Sequence, residues 1–375
     1  MMPPVGLVFL SKHLSDVESD LTLLGKWLSN LGLEHLVEQS PISQTPLGDY
    51  QSSTRLNLDA FARLTPNFDT LEISSYLLAN VANDQWNLAR EILVSLMASP
   101  FAWKFSSFDS LQSAIRVREN IVHAAKNTAL NFHTSEAERP EDMWTYKEET
   151  GFIILPGTSL IDALVKATQP GISGTYYSFS CYRATEYVIL LALAQEAAVY
   201  CPSFYQQLQK QWETKAIMSG RFHDVFLIEY GSMDDPLPIN YYVPGDRVWF
   251  RNPDDRSSDV EGFEGSWVFY LGNGMFPNFW KLNQPFTLQD KCLEVFHWRD
   301  GVVQAENDVL AMDESVVERE VALTKLDPER SQAIMNRMYR LRDPKGVYAD
   351  GGCIDATRES PRALIGNLDL IKLDI

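Results

Sequence analysis

The most constraining feature of this 375-residue chain is a nearly uninterrupted apolar run behind a cysteine. Cys181 is followed by YRATEYVILLALAQEAAVY, residues 182–200, most of which are apolar. A helix that is apolar on almost every face has to be surrounded by other elements, because none of its faces is suited to water. The run therefore predicts a buried helix at the centre of a domain. It stays below the roughly 18–20 uninterrupted apolar residues that a membrane helix needs.

Strand signals dominate the sequence after this helix. The segments 225–230, 246–250 and 266–272 are rich in β-branched and aromatic residues, and turn residues bound them. GFIILPG at 151–157 predicts another short strand. Upstream, FDSLQSAIRVRENIVHAAKNTALNF predicts one long helix, with Asp109 or Ser110 as its cap. Helices and strands are therefore mixed in one predicted α+β fold.

The pattern along the chain divides it into three predicted regions. They are a helical N-terminal extension over 1–105, the core over 106–307, and a charged helical appendage over 308–375. In the first region, leucines recur with helical spacing behind a cap at Ser15, and a second helix runs from near Trp86 to Met97. A polar, turn-rich stretch from Gln39 to Thr54 separates the two helices. We expect this extension to cover one side of the core or to control access to its cleft.

The charge balance limits the partners. The chain has 32 Lys and Arg residues against 50 Asp and Glu residues, which gives a formal net charge of -18. Broad nucleic-acid binding needs a basic surface, and anionic membranes repel an acidic one. The N-terminus also lacks the basic segment and apolar run of a signal peptide. We therefore expect no nucleic acid, no membrane partner and a cytoplasmic location, with non-classical export as the alternative. The oligomeric state stays open.

The cysteines and histidines do not predict a metal site. The four cysteines lie far apart at positions 181, 201, 292 and 353, without a CxxC pair, so neither a zinc ribbon nor a disulfide scaffold is indicated. The six histidines are scattered and form no HExxH pair. His223 precedes a strand and is a candidate base, although a structural histidine is the simpler interpretation. The sequence predicts no metal and no cofactor.

Cys181 has the local context of a nucleophile. It lies where an extended segment meets the N-terminus of the apolar helix. The first N–H groups of a helix have no partner within it, and the helix dipole favours an anion there. We therefore expect a lowered pKa for the Cys181 thiol and a reactive thiolate. The alternative interpretation is a small buried residue without a chemical role.

Four segments, in order, resemble the small transglutaminases of spore-forming bacteria, the protein-glutamine gamma-glutamyltransferases. They are RENIVHAAK (118–126), YYSFSCYRATEYVILLALA (176–194), GDRVWFRNPD (245–254) and SWVFYLG (266–272). They resemble a family helix, the nucleophile helix, a Gly-Asp strand and the strand with the catalytic glutamate. Cell-wall peptidases of the NlpC type share the Gly-Asp strand within the same papain-like class. The resemblance implies a papain-like core, in which a nucleophile-bearing helix packs against an antiparallel sheet.

The chain departs from the family pattern at the positions that would carry its acid–base chemistry. Counting back from Gly272, the family's glutamate falls on Ser266, which is no base at neutral pH. The glutamate that precedes the family's cysteine is replaced by Ser180. The family's histidine falls on Phe279, and Asn278 beside it is the candidate in its place.

Glu264 is the candidate for the missing base. Strand side chains alternate with a period of two, so Glu264 is predicted to share a face with Ser266. If the strand extends by one more pair of residues, the carboxylate can reach the thiol. The alternative interpretation is a solvated loop carboxylate, which is the usual place of a glutamate.

The resemblance implies acyl transfer on protein substrates. The thiolate of Cys181 would attack the side-chain amide of a protein glutamine, release ammonia and form a thioester. A lysine amine would then form an isopeptide bond, whereas water would complete a deamidation. The aromatic candidates for binding the substrate are Tyr177, Trp249, Phe263, Trp267 and Phe276. Ordinary core packing is the alternative interpretation of these aromatic residues.

Three functions stay open at the level of sequence. The first is an active cysteine acyltransferase or glutamine deamidase. The second is a transglutaminase-like fold that has lost catalysis and binds a partner, which Ser180 and Ser266 suggest. The third is a papain-like amidase that acts on small peptides or cell-wall fragments.

Overall fold

The N-terminal part of the protein builds a five-stranded sheet with helices against it. The structure, a computed structural model, describes residues 3–78, 87–132, 137–305, 309–343 and 351–374. The strands of this part are β1 (Gly6–Ser11), β2 (Val37–Gln39), β3 (Ser43–Gln44), β4 (Tyr50–Leu56) and β5 (Ala102–Phe105). Its helices are α1 (Leu14–Asn30), α2 (Leu58–Leu64), α3 (Ile73–Leu78) and α4 (Leu88–Met97). The strand order is β2-β4-β1-β5, with β3 also paired to β4.

The prediction of a mostly helical extension over 1–105 is wrong where this sheet lies. The stretch predicted as turns contains most of β4, whose buried side chains include Ser52 and Thr54. A search for apolar periodicity misses a strand whose inward side chains are small and polar. The two predicted helices are present as α1 and α4, although Trp86 lies outside the described residues.

The central part surrounds one buried helix. Its helices are α5 (Phe108–Asn127), α6 (Leu160–Thr168), α7 (Pro170–Ser173), α8 (Cys181–Tyr200), α9 (Pro202–Thr214), α10 (Ser219–Phe226) and α11 (Asp255–Ser258). Its strands are β6 (Asn131–Phe132), β7 (Trp144–Lys147), β8 (Gly151–Ile154), β9 (Ser178–Phe179), β10 (Leu227–Tyr230), β11 (Arg247–Arg251) and β12 (Gly265–Phe269). Helix α8 packs against α5, α6, α9 and β12, as its apolar sequence requires. The long helix α5 is capped by Ser107 rather than by Asp109 or Ser110.

The C-terminal part completes the central sheet. It contains β13 (Met275–Phe276), β14 (Phe286–Thr287), α12 (Leu288–Gly301), β15 (Val302–Gln304), β16 (Leu310–Met312), α13 (Glu314–Lys325), α14 (Pro328–Met338) and β17 (Arg358–Pro361). The sheet order is β10-β17-β11-β12, and every neighbouring pair is antiparallel. The α+β class and the antiparallel sheet predicted from the sequence are therefore confirmed.

The prediction of a C-terminal appendage is wrong for β17, which lies inside the central sheet. The sequence of this strand, RESP, has no apolar pattern that would indicate burial. Its polar side chains are buried because they have partners: Glu359 pairs with Arg247, and Ser360 accepts a hydrogen bond from Arg118 at 2.6 Å. None of the described helices is long and apolar enough to cross a membrane.

A buried ion pair joins three of these elements. Arg118 of α5 is 1% exposed, and its guanidinium donates to the Asp246 carboxylate at 2.8 Å and to the Pro244 carbonyl at 3.0 Å. The same side chain reaches Ser360 of β17. Gly245 has a φ of +89°, and a Cβ atom there would lie 2.9 Å from the Cβ of Arg118. The turn before β11 therefore needs a glycine, both for its conformation and for this close approach.

We expect Arg118→Met to lower the free energy of unfolding by about 3–5 kcal/mol, because it leaves the Asp246 carboxylate buried without its partner. Chemical denaturation followed by circular dichroism measures this change. The matched control is Arg55→Met, which removes a 2.7 Å pair with Glu38 whose side chains are 37% and 42% exposed. That variant should lose no more than about 1 kcal/mol. Equal losses in the two variants would contradict the role we assign to Arg118.

Candidate functional site

Cys181 is the first residue of the buried helix α8. Ser180 is its N-cap, and the Ser180 hydroxyl accepts a hydrogen bond from the Arg183 N–H at 3.2 Å. Serine is among the preferred residues at this position, because its oxygen satisfies an N–H group that the helix leaves free. Ser180 therefore has a structural role where the resembled family has a glutamate. Cys181 is held at the helix N-terminus against β12.

The thiol faces a cavity of about 520 Å³. Cys181 lines it together with Ser266 and Gly265 of β12 and with aromatic and charged side chains from the loops and from α12 and α13. A volume of this size is within the range of pockets that hold ligands. None of the other three cysteines lines this cavity. Cys181 is therefore the one of the four cysteines that lines this cavity.

Burial raises the pKa of the Cys181 thiol above its ordinary value. Hydrogen bonds from the backbone N–H groups of Trp267 and Tyr182 act in the opposite direction, as does the positive charge of Lys291, and the carboxylate of Glu264 adds to the increase. The lowered pKa that we predicted from the helix N-terminus is therefore wrong in sign. The reason is that burial destabilises the thiolate more than the hydrogen bonds from these amide groups stabilise it.

Strand β12 places the predicted residues on its two faces. Ser266 lines the Cys181 cavity, whereas the Trp267 side chain lines the separate cavity on the other face. The carbonyl of Glu264, just before the strand, accepts a hydrogen bond from the Asn252 N–H at 3.1 Å, and the Glu264 side chain is exposed. Glu264 does not line the cavity, but its charge acts on the Cys181 thiol. Its role as a base remains a prediction.

Asn278 lines the cavity from the loop after β13. Its Oδ1 atom accepts a hydrogen bond from the Trp280 N–H at 3.0 Å, which turns the chain at the cavity wall. Phe279 is buried, with its ring 6.4 Å from that of Phe269. Asn278, beside the position of the family's histidine, therefore reaches the cavity, whereas Phe279 at that position belongs to the core.

The predicted aromatic residues are not brought together around Cys181. Phe263 lines the cavity, with its ring 5.2 Å from that of Trp298. Trp249 and Trp267 stack at 5.1 Å and line a separate polar cavity of about 150 Å³. Phe276 is fully buried in the second core cluster, so its assignment to substrate binding is wrong. Tyr177 packs against the main core and does not line the Cys181 cavity.

His223 is paired elsewhere in the fold. The Nε2 atom of His223 lies 3.3 Å from a carboxylate oxygen of Glu359, and the residue does not line the Cys181 cavity. Across the ranges that the structure describes, no group of three or more His, Cys, Asp or Glu residues is arranged to hold a metal ion.

Sequence reasoning missed the residues that α12 and the loop after β13 contribute to the cavity. Lys291 and Glu294 line the cavity and form an ion pair at 2.7 Å. Trp280 and Trp298 supply aromatic surface to the same cavity. The (i, i+3) spacing of Lys291 and Glu294 is typical of a solvated helix pair, so it gave no sign that the lysine is buried.

We expect alkylation of Cys181 by iodoacetamide to be slow at neutral pH and to rise about tenfold per pH unit toward alkaline pH, because the reactive thiolate is scarce below a raised pKa. Peptide mapping by mass spectrometry assigns the label, and Cys181→Ala identifies the background. A rate that is already constant at pH 7 would contradict the effect of burial on this thiol.

Comparisons with known proteins agree with the resemblance. A sequence profile of the family described as protein-glutamine gamma-glutamyltransferase matches residues 72–359. The protein-glutamine gamma-glutamyltransferase of Halalkalibacterium halodurans is 27% identical over 205 residues, which cover 52% of this chain and 64% of that protein. The protein of the same name from Bacillus licheniformis is 25% identical over 218 residues, which cover 55% and 80%.

Among solved structures, a transglutaminase from Geobacillus stearothermophilus without its C-terminal extension is 17% identical, with a TM-score of 0.37, and the match covers 56% of this chain and 96% of that one. The profile match includes α5, the Cys181 helix and the strands β10, β11 and β12 of the central sheet, and it ends inside β17. It covers more than half of the chain, which shows the family. The chain belongs to the protein-glutamine gamma-glutamyltransferase family.

Proposed function

We propose that this protein catalyses acyl transfer on glutamine side chains of proteins, with Cys181 as the nucleophile. The observation that carries the proposal is the position of its thiol, at the N-terminus of a buried helix and open to a cavity of about 520 Å³. Membership of the family supports the reaction class. Both matched relatives are named as protein-glutamine gamma-glutamyltransferases.

The proposed reaction has two stages. In the first, the Cys181 thiolate attacks the carboxamide carbon of glutamine, the C–N bond breaks, and ammonia leaves with a proton from an acid at the site. In the second, an amine attacks the thioester, the C–S bond breaks, and an isopeptide bond forms as the amine gives up a proton. Water in place of the amine would complete a deamidation. The thiolate returns at the end, so no electrons are gained or lost.

The proposal also needs a group that moves protons. The hydroxyl of Ser266 and that of Ser180, which caps α8, do not accept a proton at neutral pH. Glu264 remains the candidate, because its charge acts on the Cys181 thiol from the start of the adjoining strand. A carboxylate at this place can pass a proton to ammonia and take one from the amine.

The nucleophile is tested with casein and a fluorescent primary amine as substrates. We expect the wild-type protein to attach the amine to casein and Cys181→Ala to lose this activity by a factor on the order of 10³ or more, because no thioester can form. The matched control is Cys201→Ala, which removes another partly exposed thiol that does not line the cavity. Equal activity in Cys181→Ala and the wild type would contradict the proposed nucleophile.

The same assay separates the other functions. Release of ammonia from casein without attachment of the amine would favour a deamidase. Hydrolysis of small peptide amides alone would favour a papain-like amidase. A folded protein with neither activity would favour the catalytically inactive binding protein.

For the base, we expect Glu264→Gln to lower amine incorporation by about 10²–10⁴, because the amide cannot accept a proton from the attacking amine. Ser266→Ala, which changes a residue of β12 that lines the cavity, should lose less than about tenfold. Steady-state rates with the same casein and amine measure both variants. Full activity in Glu264→Gln would refute the assignment of this residue.

A further inference from the structure

A buried ammonium group faces the same cavity as the Cys181 thiol. Lys291 of α12 is 5% exposed, and its Nζ atom lies 4.4 Å from the centre of the Phe286 ring. The ammonium is paired with the carboxylate of Glu294 at 2.7 Å. A buried lysine is rare unless a partner holds its charge, and Glu294 is that partner here.

The other two lysines on the cavity wall are more exposed. Lys281 pairs with Glu318, and Lys325 pairs with Asp290 at 2.6 Å. The side chains of these lysines are 43% and 48% exposed, against 6% for that of Lys291. Water and salt screen exposed charges strongly and buried charges much less. Of the three lysines on the cavity wall, Lys291 is therefore the one whose charge is screened least by solvent.

The Lys291–Glu294 pair is also uneven. The lysine side chain is 6% exposed, but that of Glu294 is 37% exposed, so the negative end of the pair lies closer to solvent. Glu314 lines the same cavity and interacts electrostatically with Glu294 and Lys281. It forms no ion pair among the described residues. Solvent therefore screens the charge of the Glu294 carboxylate more strongly than that of the Lys291 ammonium.

We infer that Lys291, held in place by Glu294, is the counter-ion that stabilises the thiolate of Cys181. The inference rests on the proposed role of Cys181 as the nucleophile. When the thiol proton leaves, the negative charge on sulfur is balanced by the ammonium across the cavity. When sulfur attacks the amide carbon, the charge moves to the amide oxygen and the ammonium remains protonated. Lys291 is thus a positioning residue that acts through the thiolate.

The electrostatic balance at Cys181 supports this role. Of the charged groups around the thiol, Lys291 lowers its pKa and Glu264 raises it. Lys291 also lowers the pKa of the adjacent Cys292 thiol. A hydrogen-bonded contact with Cys353, at 3.5 Å between the sulfur atoms, and then burial keep that pKa well above its ordinary value. Removing the charge of Lys291 should therefore raise the pKa of Cys181, and removing the charge of Glu264 should lower it.

The test follows the alkylation of Cys181 by iodoacetamide as a function of pH, with the label assigned by peptide mapping. We expect Lys291→Met to move the profile upward by about one pH unit, which is about a tenfold lower rate at a fixed pH below the midpoint. Glu264→Gln should move it in the opposite direction, although it lowers amine transfer. Lys291→Arg should stay close to the wild type, since it keeps the charge.

The matched control is Lys281→Met, which removes a lysine from the same cavity wall without removing a charge that acts directly on Cys181. Its profile should coincide with that of the wild type. If Lys291→Met does not fold, Lys291→Gln replaces it in the alkylation assay, because it keeps a polar group but not the charge. A folded Lys291→Met or Lys291→Gln variant with the wild-type profile would overturn the inference. The assay uses neither glutamine nor amine, so its outcome does not depend on the proposed transfer reaction.

Discussion

The architecture depends on the buried ion pair between Arg118 and Asp246. The pair joins the long helix α5 to the turn before β11, and the same guanidinium reaches Ser360 in the strand that completes the central sheet. Two segments that resemble the family, the RENIVHAAK helix and the Gly-Asp strand, are therefore partners in space. The two segments are far apart in the sequence. They are held together because the buried charge of Arg118 has to be neutralised by the carboxylate of Asp246.

This arrangement determines the surroundings of Cys181. Helix α8 packs between α5 and β12, so its N-terminus is enclosed and its first side chain meets both the strand and the cavity. Enclosure raises the pKa of the thiol, which opposes the effect of the amide groups at the helix end. A thiolate enclosed in this way needs a positive charge that is buried as well. Lys291, on a helix that packs within the second core cluster, meets that requirement.

The parts of the site that are local in sequence were predictable. The apolar run after Cys181 indicates a buried helix, and the alternation along β12 places Ser266 on the side of the cavity. The parts that come from distant segments were not. Strand β17 carries polar residues whose burial makes sense only beside Arg247 and Arg118, and Lys291 has the spacing of an ordinary surface pair. The aromatic candidates show the same limit, since residue type alone does not distinguish a cavity wall from a core.

The sequence by itself determined the family, the α+β class and the position of Cys181 at the start of a buried helix, because these depend on patterns within short segments. Tertiary structure decided which charges surround the thiol and the direction in which its pKa moves. The physical reason is that burial and Coulomb interactions depend on distances between atoms from separate segments. The spacing of residues within one segment does not predict those distances.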